Sequence, residues 1–314
     1  MKKPFLLTAL LLTASFVLLV LHSRPFSQAG VAAVQAADKS TKKEERKTDK
    51  HIQKAIDQAY KNGGGDVNIP AGKFYVASTI VVKPTVKLKL DSATMLIPTN
   101  NINVIELRSN SEINGGIIYV YDLERYDKSA IYLDGSQQFS GTLRTANLSD
   151  VKMIGKPGHG NGVHFFAGKE KDHVSWVRVD NLNITGFEKA VYLRTEPVEA
   201  PAKVWINGNN FSQIFIKDSY YGIYIDGHRD LPYEISGNTF TNVQIQTGYQ
   251  TKQAIYVKGT KNYIQAMIWD YHLGAEAIHF DEDSLRNQIY SNVSPSDRAF
   301  VDYGKDNLAV AANL

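Results

Sequence analysis

The sequence predicts an all-β protein, a single right-handed parallel β-helix opened by a short capping helix. Three observations predict it. A four-residue phrase recurs along the chain, always small, aliphatic, ring-bearing or polar, then apolar. From residue 66 onward, short β-branched and aromatic runs alternate with turns rich in Gly, Asn and Asp. After the glycines Gly63–Gly65 no run has the period of a helix, so nothing is present to cover the sheet of a two-domain α/β protein.

The first element is not part of that fold. Lys2 and Lys3 precede an apolar run from Phe5 to about Leu21, the order of a secretory n-region and h-region. Small residues at processing spacing follow, in Ser27-Gln28-Ala29 and Val34-Gln35-Ala36. Residues 1–36 therefore read as a signal peptide, or as an uncleaved N-terminal anchor that is the chain's one contact with a membrane. Either places the remainder outside the cell, secreted or held at its surface. The chain has no cysteine, which excludes disulfides, thiolate-bound zinc and a cysteine nucleophile. An exported chain without disulfides fits a bacterial route.

Residues 37–50 read as a charged linker, with almost nothing apolar to bury. They also distort the apparent charge. Residues 1–50 hold nine of the 35 Lys and Arg but four of the 32 Asp and Glu, which leaves 26 bases against 28 acids in residues 51–314. A near-neutral domain lacks the basic face that nucleic-acid binding needs.

Thr48 is placed to cap a short helix with Ile52, Ala55, Ile56 and Ala59 on one face, ended by Asn62 and the three glycines. Strands follow, and the domain is expected to run from 51 to 314. The recurring phrase is Ala130-Ile131-Tyr132-Leu133, Gly162-Val163-His164-Phe165, Ala190-Val191-Tyr192-Leu193, Gly222-Ile223-Tyr224-Ile225, Ala254-Ile255-Tyr256-Val257 and Ala277-Ile278-His279-Phe280. Successive copies are 32, 28, 32, 32 and 23 residues apart, with fainter copies at Val104-Ile105-Glu106-Leu107 and Ala299-Phe300-Val301. Unequal steps with about three strands each describe a solenoid of coils, in which turn length varies but the stacking strand does not. Asn209 and Asn238 recur at equivalent turns and are expected to stack as an amide ladder.

The segment Thr48-Asp49, Ile52-Gln53, Ala55-Ile56-Asp57, Gly63-Gly64-Gly65, Val67, Ile69-Pro70, Gly72 and Phe74-Tyr75 resembles the N-terminal signature of the pectate-lyase-like superfamily of rhamnogalacturonase-like and epimerase-like proteins and phage tailspikes. It departs from that signature at Lys47-Thr48-Asp49, where the fuller Asp-Gly-x-Thr-Asp-Asp opening is absent. The resemblance implies the β-helix; its members include lyases, hydrolases, epimerases and binders, so it does not select a reaction.

Strand alternation assigns faces. With Ile and Leu inward, one outward column is Glu106, Tyr132, His164, Tyr192, Tyr224, Tyr256 and His279, and beside it run Arg108, Asp134, Phe166, Arg194, Asp226, Lys258 and Asp281. A stripe of rings and polar groups suits an extended extracellular polysaccharide. Tyr132, Tyr192, Tyr256, His228 and His279 are the expected binding residues. Arg194, Tyr224, Asp226, Lys258 and His164 are the expected catalytic ones. β-Elimination on an acidic, uronate-containing polysaccharide is the leading expectation, with Arg194 or Lys258 neutralising the substrate carboxylate and Tyr or His moving protons. A C5-epimerase would use nearly the same set. A glycosidase needs paired carboxyls, and Asp226 and Asp281 fall about 9.6 Å apart by two strand spacings. A non-catalytic glycan-binding or cell-envelope protein is the other alternative. No metal ligand set is assigned. If an ion takes part, calcium is the one expected, and Asp281, Glu282 and Asp283 are read as a solvated turn. Gly158-His159-Gly160 reads as a glycine turn, Arg229-Asp230-Leu231-Pro232 carries no complete motif, and His51 and His173 read as surface histidines.

Overall fold

The computed structural model describes residues 48–140, 145–229, 233–271 and 276–311, all within the unit Arg46–Leu314. The expected signal or anchor, residues 1–36, and most of the linker lie outside the described residues, as do Asp230, Leu231 and Pro232. The fold begins slightly earlier than the sequence suggests. Thr48 bridges to Tyr75 and the helix spans Asp49–Lys61.

That helix has its apolar face on the first coil. Ile52 and Ile56 are fully buried, and Ala55 and Ala59 pack beside them. Thr48 holds the extended conformation of an N-cap and meets His51 Nδ1 at 3.4 Å, so His51 helps start the helix. Gln53 accepts from the backbone N–H of Val81 at 2.8 Å and donates to its carbonyl at 3.2 Å. The helix thereby satisfies part of the exposed edge of strand Ile80–Val82, which would otherwise invite pairing with another chain.

Every strand pairing is parallel and joins one coil to the next, forming three faces. The repeat face stacks Ile80–Val82, Ile105–Leu107, Ser129–Asp134, Asn161–Ala167, Lys189–Thr195, Tyr221–Asp226, Gln253–Lys258, Glu276–Phe280 and Phe300–Asp302. A three-stranded narrow face stacks His173–Ser175, Val204–Asn207 and Tyr233–Ser236, and the long face closes each coil. This is the parallel β-helix that the phrase predicts, and both faint copies lie in strands of the repeat face. The narrow face shrinks to single bridging residues, Thr260, Leu285 and Lys305, in the last coils. That loss accounts for the drop in repeat step from 32 to 23 residues.

The core lies between the faces. Within the phrase, the aliphatic positions Ile131, Val163, Val191, Ile223, Ile255 and Ile278 are fully buried. Each removes about 1.5–3 kcal/mol worth of apolar surface from water. The leading small residue is needed because a neighbouring backbone presses on it. A Cβ on Gly162 or Gly222 would lie 2.5 Å from the carbonyl oxygen of Ala190 or Ala254. Phe211 and Phe240 stack at 4.3 Å inside the core.

Between the narrow and long faces runs the amide ladder, longer than expected. Asn209, Asn238, Asn262 and Asn287 each pass a side-chain N–H to the next amide oxygen, at 2.9, 3.0, 3.0 and 3.1 Å, and the ladder ends on Asn307. The residue before each is in the left-handed region: Gly208, Gly237, Lys261, Arg286 and Asp306, with φ between 53° and 62°. That reversal turns the asparagine inward, and its buried amide then has partners above and below. Gly158-His159-Gly160 is a tight turn, with both glycines at positive φ.

Candidate functional site

The strand register places the first expected column on the repeat face, and the second as far as its strands extend, with Arg108 and Asp281 just beyond the strand ends. Glu106, Tyr132, His164, Tyr192, Tyr224, Tyr256 and His279 are successive partners. So are Asp134, Phe166, Arg194, Asp226 and Lys258. Neighbouring rungs are about 4.8 Å apart, the spacing of paired strands.

The rings do something different from what the sequence suggests. They pack on one another along the axis, stacked in two runs that meet edge to face where Tyr192 touches Tyr224 at 5.6 Å and 67°. His164 lies on Tyr192 at 4.5 Å and 14°, Tyr224 on Tyr256 at 4.5 Å and 12°, and Tyr256 on His279 at 5.3 Å and 26°. Ring faces are consumed by neighbours, so the column offers mainly its edges and hydroxyls. Tyr192 is only 5% exposed. The expected platform for sugar rings is therefore a row of hydrogen-bonding phenols at Tyr224 and Tyr256, and Tyr132 closes the opposite end against His164 and Phe166.

His164 is a correction. Its Nδ1 meets Ser129 Oγ at 3.2 Å, while Nε2 is buried with no hydrogen-bond partner. Burial, with Arg194 and Lys189 nearby, holds its pKa down at about 3. The ring is held in its neutral form, with Nε2 enclosed while the residue as a whole is half-buried, which disfavours the proton transfer expected of it. The phenols also move away from base chemistry. Burial first, then Asp226 for Tyr224 and the hydrogen-bonded Asp281 for Tyr256, push both above the usual tyrosine range. They keep their protons.

Arg194, Tyr224, Asp226 and Lys258 do come together, as parts of a tethered network. Tyr192 Oη donates to Asp226 at 3.1 Å and accepts from Arg194 at 3.2 Å. Arg194 also pairs with Glu196 at 2.6 Å, on the enlarged turn after its strand. Tyr256 Oη donates to Asp281 at 2.7 Å. Residues 281–283 form the expected turn, but it folds back into the site: Asp283 lies 3.5 Å from both Lys258 Nζ and His228 Nε2. His228 packs on Tyr233, and His279 Nδ1 lies 2.9 Å from Glu276. Among the described residues no three His, Asp or Glu are arranged as a metal cluster.

Sequence reasoning missed a third outward column, Asn161, Lys189, Tyr221, Gln253 and Glu276. Lys189 Nζ sits over the rings of Tyr192, Tyr224 and Tyr221 at 4.9, 5.4 and 5.8 Å and pairs with Glu188. The signal was available: these residues immediately precede the small residue of each phrase. Simple alternation sends them inward, but the small and aliphatic residues are both buried, which shifts the preceding one out. His173 is likewise no plain surface histidine; it stacks on Trp205 at 4.9 Å.

No protein-family model matches the sequence, and no curated protein matches it. Solved structures with a similar arrangement include ORF18 of Geobacillus virus E2, 14% identical, covering 84% of this chain and 63% of that one at a TM-score of 0.43. The tailspike gp49 of Acinetobacter baumannii bacteriophage Fri1, a capsular polysaccharide depolymerase, is 11% identical and covers 82% and 53% at 0.34. A tailspike mutant of E. coli bacteriophage HK620, in complex with a hexasaccharide, is 12% identical and covers 84% and 63% at 0.33. The chain thus spans between half and two thirds of their lengths. At these scores the likeness is coarse, and the fold rests on the strand register.

Proposed function

We propose that this is an extracellular polysaccharide-active protein that holds an extended glycan along the repeat face and cleaves it beside Tyr224 and Tyr256. The observation that carries this reading is the alignment of protonated phenols with the register-locked row Arg194, Asp226 and Lys258 and with Asp281, which Tyr256 holds by a hydrogen bond. Such a row repeats at about one sugar length per rung. The N-terminal resemblance to pectate-lyase-like proteins supports the same kind of substrate. The tailspikes are of that kind too, although the proposal rests on the face itself.

Charge bears on the cleavage chemistry. β-Elimination on a uronate, the expectation from sequence, needs a cation free for the substrate carboxylate. Arg194 faces Glu196 and Lys258 faces Asp283, and with Asp226 and Asp281 the row carries two cations against four carboxylates. Elimination therefore requires one cation to leave its partner. Hydrolysis uses the groups as they stand. Asp226 and Asp281 lie two rungs apart, about 9.6 Å, close to the separation of inverting glycosidases. Hydrolysis of a neutral or weakly charged glycan is the better-supported reading; elimination is the second.

The test is incubation with neutral and acidic polysaccharides while following reducing ends and the ultraviolet absorbance of unsaturated uronates. Reducing ends without absorbance are expected. Both together would establish elimination, and neither, with binding retained, would make this a glycan-binding protein. Asp226→Asn and Asp281→Asn should each lower turnover by about 10²-fold or more. Full activity in Arg194→Ala and Tyr224→Phe would move the site elsewhere.

A further inference from the structure

The repeat face hides its ring faces, but Trp176 does the opposite. Trp176 stands at the turn between the narrow and long faces and is 59% exposed. Its backbone is left-handed, φ 63°, a conformation rare for a bulky residue and disfavoured by contact of Cβ with the backbone. The two coils that follow place Gly208 and Gly237 at this position, φ 61° and 62°. A tryptophan here gains neither burial nor backbone comfort, and an outlier of that kind points to a role beyond folding.

Its surroundings say what role. The indole lies flat over Gly208: a Cβ built there would be 3.6 Å from Cδ2, Cε2 and Cε3 alike. Beyond it Gly237 is open, with nothing within 4 Å of a built Cβ. The result is a groove of about 440 Å³ on the narrow face, walled by the stacked pair His173 and Trp205. Ser175, Asn207 and Ser236 supply its polar lining. Ser175 donates to Asn207 Oδ1 at 2.6 Å, which leaves the amide N–H groups of Asn207 to donate. Among the described residues the lining holds no Asp, Glu, Lys or Arg, and the nearest cation, Arg178, lines the adjoining side of the Trp176 turn.

A flat, exposed indole over a glycine floor, with hydroxyl and amide groups beside it, matches the apolar face and hydroxyl rim of a pyranose ring. The absence of charge selects among aromatic-binding ligands. A nucleotide or single-stranded nucleic acid needs cations for its phosphates, and a polyuronate needs them for its carboxylates. We propose that the groove at Trp176 is a second carbohydrate-binding site, specific for neutral sugar residues, on a different face from the cleavage site. It anchors the protein to a glycan independently of the repeat face.

The chain has three tryptophans, Trp176, Trp205 and Trp269, two of them in this groove, so intrinsic fluorescence reports on it. The probes are neutral hexasaccharides of glucose, galactose, mannose and N-acetylglucosamine, titrated into the full-length protein in low and high salt. A saturable emission change that salt does not weaken is expected with at least one of them. It should persist in Trp269→Phe and in Asp226→Asn, which separates this site from the long face and from the proposed cleavage site. The decisive variant is Trp176→Gly, because the fold already accepts glycine at this position in the next two coils. It should keep or raise the melting temperature while weakening the hexasaccharide at least tenfold. The proposal is overturned by no saturable change with any probe, by a change that survives Trp176→Gly, or by a fall in melting temperature in that variant, which would make Trp176 a packing residue.

Discussion

At the scale of single residues, burial separates His164 from the tyrosines that share its column. The sequence places all of them outward, and the register agrees; what it could not convey is how far Tyr132, Phe166 and Tyr192 close over the imidazole. Exposure depends on neighbours from three coils, whereas alternation is a property of one strand. The consequence is measurable. The folded pKa of His164, about 3, lies below the ordinary 6.5. The unfolded chain therefore takes up a proton that the folded one refuses as pH falls. The stability contributed by the neutral ring is present in full above 6.5 and is lost on descending toward 3. The slope contributed is about 1.4 kcal/mol per pH unit. Urea unfolding of wild type at pH 7 and pH 5 should show that loss, and His164→Phe should flatten it; an unchanged slope would mean that the ring is protonated in the fold.

At the scale of elements, the strands were legible because each phrase carries its own instructions: a small residue to meet the next backbone, an aliphatic to bury, a ring to face out. The ladder was legible only in part. Asn209 and Asn238 stood out through their shared glycine-asparagine pair. Asn262, Asn287 and Asn307 follow Lys261, Arg286 and Asp306, residues whose left-handed backbone is imposed by stacking and not by their own preference. Two variants test this turn. Gly237 has open space around a built Cβ, so Gly237→Ala isolates the backbone penalty, and it should lower stability by about 1–2 kcal/mol in chemical denaturation. Asn238→Ala removes a rung bonded on both sides and takes the acceptor from the Asn209 backbone N–H and from one of its amide N–H groups, and it should lower stability by about 2–4 kcal/mol. A smaller loss in Asn238→Ala than in Gly237→Ala would show that the amides contribute little.

For the whole molecule, stability belongs to stacked neighbours, so it should vary along the axis. The middle coils have a partner on each side and buried strands such as Asn210–Lys217 and Thr239–Gln246. Among the described residues Leu308–Ala311 pairs on one side alone, with Leu308 46% exposed. Hydrogen exchange should therefore protect the amides of residues 210–217 and 239–246 far longer than those of 308–311; equal protection would mean that the last coil is covered by something else. The fold class was readable from end to end because one period governs the chain, while the chemistry was not, since reaction depends on which side chains pair across coils. That common period has a further consequence. Every outward column advances together, by one rung per coil, so the face is graduated like a measuring rod. Duplicating one coil, residues 222–253, would lengthen all of its columns at once without altering any rung. The shortest oligosaccharide that fills the face would then grow by about one sugar, making length selectivity a property that is counted in coils.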